Sequence, residues 1–274
     1  MDAVPPLLPM RVVVPVTTLW TGPDRPRRVD APLVADEPDH AAWLRALDRH
    51  PEDDERGQGR RGLHDRVLTQ VVAGEPVLVL GGPDGVSDGA AGTATRAGWV
   101  PVVCPWQPSS LDPRGYPGWL RRAHLIADDT GGHTDGPEDD SWAARPGPDG
   151  RVDLAFAREH LGLTYLWGGT SPQGLDCSGL VHLVHREMGR VVPRDAHDQQ
   201  AACTPVPVAE AQPGDLYFFA RDGEPSHHVG IVTGPGRMIH ASGSRSVVEE
   251  DLDARHRAIL TAAGRLVDEA SPPV

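Results

Sequence analysis

The chain has 274 residues, with 39 acidic against 26 basic side chains and a formal net charge of −13. That balance argues against nucleic acid or an anionic membrane as partner, and no apolar run reaches the roughly 18 residues of a membrane-spanning helix. Glycine (31) and proline (28) favour many turns over long helical bundles, and the length suits two small domains or one large one.

Met1 to Arg11 lacks the basic start and unbroken apolar stretch of a secretory leader, so a cytoplasmic setting is expected. Residues 11–20, Arg-Val-Val-Val-Pro-Val-Thr-Thr-Leu-Trp, are β-branched and closed by Gly22-Pro23. They read as one strand near a sheet edge, because Pro15 donates nothing to a ladder. Ala41 to Leu47 reads as a short helix in a surface excursion over about residues 36–66, whose charged run Pro51 to Arg56 is a solvated face. Strand signals return at 67–72, 76–80 and 99–103, separated by Ala73-Gly74-Glu75 and by the glycine-rich stretch Gly81 to Gly98. Short strands on glycine turns point to a small β-barrel. The aromatics of Gly115-Tyr116-Pro117-Gly118-Trp119 stand on a rigid turn.

Residues 127–150 have almost no apolar content and read as a linker between a first domain, 1–126, and a second, 151–274. Val152 to Leu161 reads as an amphipathic helix. A glycine-rich approach from Tyr165 then ends on Cys177, after which Leu180, Val181, Leu183, Val184 and Met188 recur at helical spacing and Gly189 supplies a stop. Cys177 thus falls in the first turn, where unpaired N–H groups and the helix dipole favour a thiolate. The plainer reading is a small buried hydrophobe. Cys104, Cys177 and Cys203 include no Cys-x-x-Cys pair, so neither a disulfide framework nor a zinc knuckle is suggested.

Pro193 to Gln200 reads as a second short helix and Leu216 to Ala220 as a strand. His228-Val-Gly-Ile-Val-Thr and Arg237-Met-Ile-His240-Ala-Ser form a hairpin over Gly234-Pro235-Gly236. Strand alternation can bring His228 and His240 to one face, while His227 points to the other. If that face covers the start of the Cys177 helix, His228 can take the thiol proton and His240 can hold its ring, completing a cysteine-peptidase triad. A zinc site of Cys177, His228 and His240 lacks an evident fourth ligand, so neither a metal nor a cofactor is expected. The acidic, arginine-rich tail after Glu249 offers no recognisable chemistry.

Tyr165-Leu-Trp167-Gly-Gly, Asp176-Cys177-Ser178-Gly-Leu-Val, Pro213-Gly-Asp-Leu-Tyr-Phe-Phe, His228-Val-Gly-Ile-Val and Met238-Ile-His240-Ala-Ser occur in one order and spacing. Over about residues 152–250 they resemble the NlpC-type cell-wall cysteine peptidases. The departures are Val232, where many members have tyrosine, and His227 before the base. The resemblance implies a papain-like α+β core with Cys177 as nucleophile, His228 as general base and His240 as orienting residue. The backbone N–H of Cys177 is the natural oxyanion donor.

Thr69-Gln70, Gly74-Glu75, Gln107-Pro108 and Gly115 to Trp119 are similar, more loosely, to the branch of γ-D-glutamyl-L-diamino acid endopeptidases that carry bacterial SH3-like domains. The implied fold class is α+β, an N-terminal SH3-like β-barrel followed by the papain-like domain. The implied substrates are murein peptides, L-Ala-γ-D-Glu-diamino acid with a free amino end, in muropeptide recycling. Asp176, Ser178 and Tyr165 would bind that amino end, and Trp167, Tyr116 and Glu75 would wall the pocket. The competing readings are a wall-binding module whose catalytic domain has decayed and an acyltransferase on the same core.

Overall fold

Pro15 breaks the β-branched run near the N-terminus, because a residue without an N–H cannot continue a ladder paired on both sides. The computed structural model, which describes residues 7–49, 59–81, 98–128, 151–243 and 246–266, has two strands where the sequence suggested one. These are β1 (Leu7–Val12) and β2 (Val16–Trp20), and they take different places in one sheet. The charged run 51–56, and the expected linker from residue 129 onward, lie outside the described residues.

The chain divides into two compact units, residues 1–134 and 135–274. In the first, β3 (Val67–Val72), β4 (Pro76–Leu80), β5 (Trp99–Cys104), β6 (Tyr116–Arg121) and β7 (Leu125–Ala127) join β1 and β2. The resulting antiparallel sheet has the order β3-β2-β6-β5-β4-β1-β7. Among the described residues no pairing of β3 with β7 closes it, so the expected barrel is here an open sheet. All seven strands nevertheless send residues into one apolar cluster, from Val71 on β3 to Leu125 on β7, so the sheet coils around its own core.

The aromatic stretch at Tyr116, expected as a turn, is strand β6. It pairs with β5 along its whole length but with β2 only at Trp20 and Trp119, which leaves Pro117 without a missing bond. The segment expected as a surface excursion also differs. Helix α1 (Ala31–Val34) and helix α2 (His40–Asp48, capped by Asp39) bury Leu33, Trp43 and Leu47. Trp43 donates its indole N–H to the buried carboxylate of Asp30 (2.9 Å), which also pairs with Arg27 (2.8 Å). A tryptophan so placed needs both an apolar surround and an acceptor, and both are supplied.

In the second unit Asp153 caps α3 (Leu154–Glu159). The short pair β8 (Thr170–Ser171) and β9 (Gly174–Leu175) leads into α4 (Cys177–Glu187), which is buried at nearly every position. Then come α5 (Ala196–Ala202), β10 (Thr204–Val206), β11 (Leu216–Phe219), β12 (His228–Gly234) and β13 (Arg237–Ala241). The tail forms β14 (Val247–Asp251), α6 (Ala254–Ile259) and β15 (Leu260–Arg265), with β15 inserted between β10 and β11. The antiparallel order is β10-β15-β11-β12-β13-β14, and α4 packs on β12 and β13 around Leu180, Val181, Val184, Val229, Ile231 and Ile239. The unit is therefore a helix-and-antiparallel-sheet α+β structure, with the start of α4 held against the hairpin.

Candidate active site

Asp176 starts α4. Its Oδ1 accepts from Gly179 N–H (2.7 Å), capping the helix, and its Oδ2 accepts from Gly168 N–H (2.8 Å), which ties in the glycine loop. The loop and helix touch backbone to backbone: a Cβ on Gly179 would lie 1.9 Å from Gly169 O. Only glycine permits that approach, and it fixes Cys177 as the first helical residue.

The Cys177 thiol is nearly buried and meets the start of β12, with Sγ 4.0 Å from His227 O. Burial first, then the nearby Asp176 carboxylate, pushes it up to about 12, while the backbone N–H groups of Val229 and Ser178 pull it down. The free protein therefore holds a thiol rather than a thiolate at neutral pH.

On the hairpin, Ile231 opposite Ile239 sets His240 across from Gly230 and makes His228 its diagonal neighbour. Gly230 has no side chain, and a Cβ there would strike Met238 Sδ at 2.4 Å. His228 Nε2 and His240 Nδ1 lie 2.8 Å apart, and His240 Nε2 lies 3.1 Å from Glu250 Oε1 on β14. A carboxylate only accepts, so His240 Nε2 donates to Glu250. The neutral His240 ring then accepts at Nδ1, and His228 donates from Nε2. The chain Glu250–His240–His228 thus leaves the lone pair of His228 on Nδ1. Burial, followed by the neighbouring imidazoles of His240, His256 and His227, holds His228 down at about 3, so it is a neutral base.

His256 on α6 joins the group, stacked near His228 (centroids 6.1 Å) and edge-on to His240 (5.2 Å). Among the described residues no hydrogen bond joins Cys177 directly to His228. Its sulfur bonds instead toward the His227 carbonyl, one residue before the histidine.

The residues expected at the substrate's amino end are tightly engaged. Besides its two backbone bonds, Asp176 takes a bidentate ion pair from buried Arg194 (2.7 and 3.1 Å). Ser178 Oγ accepts from Arg194 (2.8 Å) and donates to Asp176 (3.3 Å). Tyr165 is half-buried and its backbone bridges to Leu175, and its phenol is raised above its ordinary value by burial and then by Cys177 and Asp176. Trp167 is half-buried on the same loop. Glu75 and Tyr116 are buried within the first unit: Glu75 accepts from Gln107 Nε2 (2.8 Å), and Tyr116 joins the apolar cluster.

Three residues at the site escaped the sequence reading. Arg194, beside Asp195 at a helix start, has the look of a surface residue. Glu250 and His256 lie in the tail set aside above, and only the β13–β14 pairing brings Glu250 to His240. A buried partner for Asp176 was the one discoverable signal, since a carboxylate beside a buried thiol calls for a cation.

The NlpC/P60 family model matches residues 162–261. The chain is 31% identical to the γ-D-glutamyl-L-lysine dipeptidyl-peptidase of Bacillus subtilis (strain 168), over 87% of this chain and 91% of that protein. It is 26% identical to the protein of the same name from Bacillus cereus (strain ATCC 10987 / NRS 248), over 86% of this chain and 84% of that one. In fold it is similar to the crystal structure of an NlpC/P60 family protein from Bacillus cereus ATCC 10987, with a TM-score of 0.77 and 24% identity over 95% of this chain and all of that one.

Proposed function

Because this chain belongs to the NlpC/P60 family, we propose that it is a cysteine peptidase that cleaves the γ-D-glutamyl bond of peptidoglycan stem peptides. The observation that carries the reading is the Glu250–His240–His228 chain at the start of the Cys177 helix. His228 Nδ1 takes the thiol proton as Cys177 attacks the γ-carbonyl, and it passes the proton to the leaving amine. The N–H of Cys177, one of the first-turn donors without an intrahelical acceptor, faces the developing oxyanion. Water then hydrolyses the thioester, with His228 again as base. His240 and Glu250 keep the ring in the tautomer that this transfer needs.

The names of the Bacillus relatives support a cut at a γ-D-glutamyl-L-lysine bond; a peptide that begins with L-Ala, L-Ala-γ-D-Glu-diamino acid, is part of our proposal. Free stem peptides of this kind, and a cytoplasmic setting in which they are recycled, belong to the same proposal. Tyr165 and Trp167 flank the nucleophile as walls for the peptide. For Asp176 the hydrogen bonds favour a different part from amine binding. Its charge is already matched by Arg194, so its role is to lock the loop, the helix and Cys177 together. We also propose that the first unit is an SH3-like domain, on the support of its coiled antiparallel sheet around one core.

The test is mass spectrometry of the protein incubated with L-Ala-γ-D-Glu-diaminopimelate, its lysine counterpart and the N-acetylated form of each. Release of L-Ala-γ-D-Glu supports the reading, and cleavage of free but not acetylated peptide adds the amino-end requirement. Absence of cleavage in all four overturns it.

A further inference from the structure

His256 is not needed by the proposed reaction, yet its ring is packed against the pair that is. One ring nitrogen from each of His228, His240 and His256 lies within 4.8 Å of the other two. His256 Nδ1 is buried and makes no hydrogen bond among the described residues; Asp253 Oδ1 stands 3.0 Å away but out of line. Two carboxylates flank the group, Glu250 at His240 and Asp253 at His256. Three convergent imidazoles backed by carboxylates are the ligand set of a borderline-soft divalent cation, with an open fourth position for water.

We propose that His228, His240 and His256 form a zinc-class cation site that switches the peptidase off when it is filled. The inhibitory half of this rests on the peptidase reading above; the site itself does not. Two zinc-bound nitrogens in tetrahedral geometry stand about 3.4 Å apart at Zn–N lengths near 2.1 Å. His228 Nε2 and His240 Nδ1, now at 2.8 Å, need only part slightly, while His256 closes in.

Switching off follows from the tautomer. The cation takes the lone pair of His240 Nδ1 and displaces the hydrogen of His228 Nε2. That hydrogen moves to His228 Nδ1, and Nε2 becomes the ligand. No net proton is gained or lost, but the lone pair that would accept the Cys177 proton is gone. The His256 side chain is about one-fifth exposed, so the cluster is not fully sealed from solvent.

The test titrates zinc sulfate calorimetrically into chelator-stripped Cys177→Ala protein, which removes the thiol as a competing ligand. The same titration is repeated with His256→Asn added, and Co²⁺ absorption in place of zinc reports tetrahedral nitrogen ligation directly. Saturation near one cation per chain, at least tenfold weaker binding in the His256→Asn protein, and inhibition of the Cys177 enzyme over the same zinc range are expected. The single variant His256→Asn should hydrolyse at one rate with chelator and with zinc, whereas the unmodified enzyme is slowed by zinc. No saturable binding, equal affinity with and without His256, or binding that leaves hydrolysis untouched overturns the proposal. Should the Cys177 enzyme hydrolyse nothing, the calorimetric and Co²⁺ results still decide the site, and it is the peptidase reading that fails.

Discussion

Cys177 meets two opposed influences, burial and Asp176 raising its pKa and two backbone N–H groups lowering it, and burial wins. Thiolate absorbance near 240 nm should therefore show no step between pH 4 and 8 in the free enzyme and should grow only in alkaline solution. A thiolate already present at pH 5 would contradict this environment. Glu250 acts through His240, so Glu250→Gln keeps the shape but loses the charge that fixes the tautomer. Its kcat should fall by roughly tenfold or more, about 1.4 kcal/mol in barrier, with KM little changed. Equal loss in kcat and KM would point to a structural role instead. The meeting of His228 with His240, and the place of Cys177 at a helix start, were legible because each sits in a local pattern, an apolar strand or a glycine-rich approach. Glu250, His256 and Arg194 were not, because their partners come from other elements and nothing beside them in sequence marks the meeting.

At the junction of glycine loop and α4 several bonds converge on one carboxylate. Asp176 is at once helix cap, loop tie and counter-ion to a buried arginine. Asp176→Ala strips buried Arg194 of its bidentate carboxylate and α4 of its cap, a loss of about 3–5 kcal/mol, and should lower the melting temperature by roughly 10 °C. An unchanged melting temperature with altered use of free amino ends would instead return Asp176 to substrate binding. Gly179→Ala should also destabilise, since its methyl group meets a backbone oxygen that cannot step aside. Elements with a clean period, such as β3, β4, β12 and α4, were readable from the chain. The break at Pro15 and strand β6 were not, because Pro and Gly mark a turn in one sheet position and a half-paired strand in another. Tertiary pairing decides between them. The buried side of α2 was likewise hidden behind its charged neighbours.

Across the whole molecule, buried neutral histidines tie stability to pH. Burial holds His40 in the first unit down at about 4, against the small opposing pull of Asp39, and holds His182 in the second well below its ordinary value. Both are depressed relative to the unfolded chain, so their contribution is complete above about pH 6.5 and is lost as the pH falls through the folded-state values. The melting temperature should drop between pH 6.5 and 4, and His40→Gln should flatten that slope; an unaltered slope would show that His40 does not take part. The acidic character and the NlpC/P60 peptidase unit were legible in the sequence. That the first sheet stays open among the described residues was not, because strand signals give pairing partners only when the register is known. The central claim is that Cys177 does the chemistry. The measurement that tests it most directly is the rate of L-Ala-γ-D-Glu release by the unmodified enzyme and by Cys177→Ala, with equal melting temperatures verifying the fold. The account predicts a loss of at least about a thousandfold, some 4 kcal/mol in barrier, whereas undiminished release by Cys177→Ala would contradict it.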